Sequence, residues 1–217
     1  MARGAQMPKH IVLFGDSIFG NQAYTAGEPD VVTHLRQQLP TPWQATLRAV
    51  DGATTNQLKA QCPHVPSDAS HAVVSIGGND AIRNSDLLAT PVASTAESLM
   101  LFGERVSLFE SQYRAALGRV QALDLPITVC TIYNGCFPPD QAELTRVALM
   151  TFNDVILRVA FDNQFNVIDL RSVCDDPTDY ANPIEPSGTG GRKIARAIVR
   201  AVGVADDAVG HSRVFAG

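Results

Sequence analysis

The stretch IVLFGDSIFGN, residues 11–21, joins an uninterrupted apolar run to a turn built from Gly, Asp and Ser. A run this short and this apolar reads as a strand buried on both faces, as in a parallel sheet. Four more such runs follow: ATLRAV (45–50), AVVSIG (72–77), ITVCTIY (127–133) and NVIDL (166–170). Helical candidates alternate with them at 28–39, 54–62, 103–124, 140–163 and 189–202. Within 103–124, Leu108, Tyr113, Leu117 and Val120 recur at helical spacing, while Glu110, Arg114 and Arg119 mark a wetter face. Strand and helix in alternation predict an α/β fold with a mostly parallel five-stranded sheet covered on both sides.

The 217 residues are 45% hydrophobic and 18% charged, enough to bury a substantial core. No repeat or composition shift divides them, so a single domain over 1–217 is expected, with flexible termini at 1–9 and about 204–217. SDLLATPVASTAES (85–98) reads as a long loop or inserted lobe, because Pro, Ser and Thr break its helical period. Twenty-two acidic against 17 basic residues, a net charge of −5, give no general attraction to nucleic acid or an anionic membrane. Cys62, Cys130, Cys136 and Cys174 lack metal-cluster spacing and read as reduced thiols. No secretory leader and no apolar segment of roughly 18 residues is seen, which predicts a soluble cytoplasmic protein without membrane insertion. A small-molecule site is therefore expected; neither a metal nor a cofactor is called for, and the oligomeric state stays open.

Ligands of parallel α/β sheets collect beyond the carboxyl ends of the strands. GDSIFGN (15–21) places Ser17 there as a candidate nucleophile, DGATTNQL (51–58) places Gly52, and GGNDA (77–81) places the Asn79 amide. Each is also an ordinary turn or helix cap, Thr54 or Thr55 in the second case. Three after three successive strands make independent turn chemistry the weaker account.

FGDS near the N-terminus, Gly52, GGND near 79 and a late block before GRKIA together resemble the SGNH (GDSL) hydrolase family. The resemblance spans nearly the whole chain. It implies a flavodoxin-like, three-layer α/β/α sandwich and metal-free esterase or acyl-hydrolase chemistry on a small-molecule ester. Ser17 would attack the acyl carbonyl, with the Ser17 and Gly52 N–H groups and the Asn79 amide as oxyanion donors. Asp16 matches the family's aspartate beside the nucleophile; by its position it stabilises the turn, its side chain directed away from Ser17.

The last block, NPIEPSGTGGRKIARAI (182–198), departs from the family's Asp and His: Asn182 stands at the aspartate and Glu185 at the histidine. An ordinary carboxylate, with a pKa of about 4.3 against about 6.5 for imidazole, is the weaker base. It is also anionic beforehand and repels a forming oxyanion. Burial raises a carboxyl pKa and restores basicity, and Asn182 could orient Glu185 through its amide. The bland alternative makes Glu185 a surface carboxylate at a helix N-terminus. His10, His64 and His71 fall at the opposite sheet edge, His34 falls in a helix, and the strand order leaves His211 unconstrained. Asp175, Asp176 and Asp179 read as a solvated acidic loop, while Tyr133 and Asn134 either line a pocket or form a turn. Two functions follow: an ester hydrolase working through acyl-Ser17 with Glu185 as an atypical base, or a protein that keeps the pocket and binds a small ligand without turnover.

Overall fold

A computed structural model describes residues 9–204; His211 and nearly all of both tails lie outside the described residues. Five strands form one sheet: β1 (His10–Gly15), β2 (Gln44–Leu47), β3 (Ala69–Ser75), β4 (Ile127–Cys130) and β5 (Asn166–Ile168). Their order is β2-β1-β3-β4-β5 and every neighbouring pair is parallel. The chain thus crosses from one side of β1 to the other between β2 and β3. A crevice opens beyond the carboxyl ends at such a reversal.

The period-two geometry of β1 divides the core. Ile11 and Leu13 point into one layer, with Val31, Leu35, Ile194 and Ile198. Val12 and Phe14 point into the other, with Phe109, Tyr113, Phe152 and Ile156. All four β1 side chains are fully buried, each contributing on the order of 1.5–3 kcal/mol relative to exposure. The first layer is closed by α1 (Val31–Gln38) and α6 (Gly188–Ala201), the second by α3 (Thr95–Gln121) and α4 (Pro139–Asp162). Short helices α2 (Gly78–Arg83) and α5 (Leu170–Val173) follow β3 and β5. The result is the expected three-layer α/β/α sandwich.

The departures from expectation have local causes. β2 stops at Leu47 because Arg48 and Ala49 both donate their N–H groups to Leu13 O, which ends the regular ladder. Residues 54–62 form a 3-10 helix, Thr55–Ala60, opened by reciprocal Thr54 and Gln57 caps. α3 begins at Thr95, inside the segment expected to be a loop. Ser94 Oγ accepts the Glu97 N–H there, and Glu97 accepts the Ala93 N–H. Residues 85–89 are a 3-10 helix, leaving a short connection where a lobe was expected. On α3 the buried stripe includes Phe109, whereas Leu108 is 57% exposed. His10 sits at the amino end of β1 between Asp68 and Thr46, and His71 stacks on Trp43; both lie at the edge away from the crevice.

Candidate active site

β1 delivers the chain into a tight turn. Gly15, with φ +136°, lets the backbone pass against Ser75 of β3, and the Asp16 N–H donates to Ser75 O. Gln61 clamps Gly15 as well: its Oε1 accepts the Gly15 N–H at 2.8 Å and its Nε2 donates to Gly15 O at 2.7 Å. Phe19 and Gly20 then donate to Asp16 O, and Asp16 Oδ1 accepts the Ile18 N–H. Asp16 stabilises the turn as expected, and it is itself buried and lines the cavity. Ser17 is presented at the wall of that cavity.

Ser17 Oγ donates a hydrogen bond to Glu185 Oε1 at 2.9 Å, linking groups 168 positions apart. Glu185 is 5% exposed, which excludes the surface reading. Its backbone is fixed on three sides. The Tyr133 hydroxyl donates to Ile184 O at 2.5 Å, Asn21 Nδ2 donates to Pro186 O at 3.0 Å, and Asn182 Oδ1 accepts the Ile184 and Glu185 N–H groups. Asn182 therefore shapes the turn through its oxygen; the expected contact of its amide with the carboxylate is not made. Glu185 Oε2 is buried and has no hydrogen-bond partner among the described residues.

Asn79 lines the cavity, and its Nδ2 donates to Ala53 O at 3.0 Å, leaving its second amide hydrogen unassigned. Gly52 is exposed at φ +73° and does not line the cavity. The Ala53 carbonyl beside it accepts the Asn79 amide. Tyr133 lines the cavity and Asn134 does not. The acidic loop is not uniformly solvated: Asp179 is fully buried, bonded to Lys193 and to the Asp176 N–H. Gln61, Asn21 and the Tyr133 hydroxyl are the supports that the sequence did not disclose. Each acts through hydrogen bonds to main-chain groups distant in the sequence, which leave no periodic signal.

Two carboxyls here hold their protons unusually tightly. Burial, followed by the nearby Glu185 and Asp80 charges, outweighs the Ile18 hydrogen bond and pushes Asp16 from an ordinary 3.8 to about 8. Burial is also the main cause for Glu185, raised from 4.5 to about 7; the Ser17 bond opposes the shift and Asp51 adds to it. Native protein therefore binds protons that unfolded chain releases, and stability from these groups is complete below about pH 4. It declines as pH rises through about 8. Asp16→Asn should flatten that decline, narrowing the difference between melting temperatures at about pH 5 and about pH 9 by several degrees. An unchanged difference would mean that Asp16 is already ionised at the lower pH.

The cavity, about 380 Å³, is lined by Ser17, Asn79 and Glu185 together with Ile76, Ile132, Phe137, Leu149 and Phe152. Such a space holds an apolar group beside a polar reacting end.

The fold has relatives among solved structures. A lipase from a goat rumen metagenome is 18% identical with a TM-score of 0.69, covering 89% of this chain and 97% of that one. Phospholipase A1 from Streptomyces albidoflavus is 15% identical (TM-score 0.67; 89% and 99%). An extracellular lipase from Streptomyces rimosus is 17% identical (TM-score 0.65; 89% and 99%). No curated protein sequence matches. The profile of the GDSL-like lipase/acylhydrolase family matches residues 13–192, a span that carries Ser17, Gly52, Asn79 and Glu185, and the chain belongs to that family of hydrolases.

Proposed function

We propose that the protein is a carboxylic ester hydrolase that works through an acyl-Ser17 intermediate with Glu185 as its base. The supporting observation is the 2.9 Å bond from Ser17 Oγ to Glu185 Oε1 at the wall of an apolar cavity. As Oγ bonds to the acyl carbon, its proton passes to Glu185. Collapse breaks the bond to the alcohol oxygen, which takes that proton. Water then attacks the acyl carbon, giving a proton to Glu185, and the Ser17 oxygen recovers it as the acid leaves. The Ser17 N–H and the Asn79 amide are the oxyanion donors in this reading.

Burial supports the role of Glu185. A carboxyl raised to about 7 is a far better base than an exposed one and is ionised in a useful fraction of molecules near neutrality. Binding without turnover is the competing reading, favoured by one observation: among the described residues no histidine lines the cavity. A fluorophosphonate probe separates the two. It should add its phosphonyl mass to the peptide containing Ser17, with parallel turnover of an activated octanoate ester. If neither labelling nor hydrolysis of any ester from acetate to palmitate occurs, the binding reading replaces this one.

A further inference from the structure

Residues 87–103, LLATPVASTAESLMLFG, hold one charged side chain, Glu97, and it accepts the Ala93 N–H. Yet the chain from 88 to 97 is exposed throughout. Such a stretch departs from the charged surface that keeps proteins apart in water.

Some of the large apolar side chains left exposed lie at the cavity. Ile82 is 47% exposed, Leu88 38% and Ile184 38%, and all three also line the cavity. Val92 is 39% exposed. Leu99, 65% exposed, stands one helical turn before the cavity-lining Phe102 on α3. The apolar surface thus runs from the cavity wall to its outer lip. Asp86, next to the cavity-lining Ser85, is paired with Arg105, and Arg83 is a further charge nearby in the sequence.

We propose that this collar docks the protein on a lipid–water interface of zwitterionic or uncharged headgroups, so that an acyl chain passes into the cavity without crossing water. Three considerations select that occupant. The same side chains form the lip and the wall, so whatever covers the collar must still let substrate enter. A lipid surface supplies the substrate itself, whereas a folded partner would close the cavity. The net charge of −5 disfavours an anionic surface. Attachment would be peripheral, since among the described residues no helix is long and apolar enough to cross a membrane.

The substrate side of this proposal rests on the ester-hydrolase reading, but docking requires no chemistry at Ser17. Ser17→Ala protein should therefore float with vesicles of pure phosphatidylcholine. Leu99→Asp and Val92→Asp, at positions that do not line the cavity, should each lower the bound fraction about tenfold or more. Both should hydrolyse a water-soluble butyrate ester as the unmodified protein does. Failure of Ser17→Ala protein to bind vesicles, or equal binding by both aspartate variants, overturns the proposal. So does a dimer in light scattering that Leu99→Asp dissociates, because the collar would then belong to a second copy. Protein that binds vesicles and hydrolyses no ester overturns the catalytic reading alone and leaves docking in place.

Discussion

Glu185→Gln lowers kcat on an activated ester by about 10²–10⁴-fold, the range a positioned general base supplies. Glutamine keeps the volume and can accept the Ser17 hydrogen bond, but it cannot take the proton. Any loss therefore reports basicity rather than packing. The pH profile makes the expectation sharper. With the carboxyl near 7, the wild-type rate climbs with pH as the ionised fraction grows and levels off above about 8. The residual rate of Glu185→Gln lacks that rise. The variant should fold at least as stably at high pH, because the charge it removes is buried with one oxygen unpartnered. Full activity with the wild-type profile in Glu185→Gln would exclude the carboxylate as base.

A glutamate base, as proposed for Glu185, asks something different of its surroundings than a histidine base does. Imidazole starts neutral and becomes cationic, which favours the oxyanion; a carboxylate starts anionic and becomes neutral, which merely removes a repulsion. On the proposed mechanism, the gain in the transition state is relief of the Glu185 charge as the oxyanion charge appears. The three backbone anchors on residues 184–186 matter because that exchange is useful only while the carboxylate stays against Ser17.

How far this was legible can be traced through individual residues. β1 was legible because burial on both faces leaves an unbroken apolar run, and the Ser17 turn because Gly15 and Asp16 punctuate it. The proximity of Glu185 to Ser17 followed from where the last block falls after β5. The start of α3 was missed because Pro91 and the Ser and Thr residues around it masked a cap at Ser94. Gly52 does not line the cavity, and a turn's residue types do not say which way its N–H points. The burial of Asp179 depends on Lys193, fourteen positions later and on another element. Contacts of that kind are set by packing and leave no local trace.

Gly15→Ala should cost about 4 kcal/mol or more, at the extreme of single substitutions. Two separate effects meet at this position. A side chain at φ +136° is strained wherever it stands, and here its Cβ would lie 1.8 Å from Ser75 O. Nothing nearby can yield cheaply: Ser75 O accepts the Asp16 N–H, Gly15 is held at both its N–H and its carbonyl by Gln61, and the preceding β1 residues are fully buried. Folded domains commonly have about 5–15 kcal/mol in total, so the variant should be recovered mainly unfolded or aggregated. Gly52→Ala supplies the comparison, since φ is +73° there and nothing lies within 4 Å of the added carbon. It should cost only about 1–2 kcal/mol. Thermal melts of the two variants thus divide backbone strain from collision. A Gly15→Ala protein that melts within a few degrees of Gly52→Ala would mean that β1 and β3 can separate at this point. Ser17 would then owe its position to the Glu185 side of the cavity rather than to the turn that opens on Gly15.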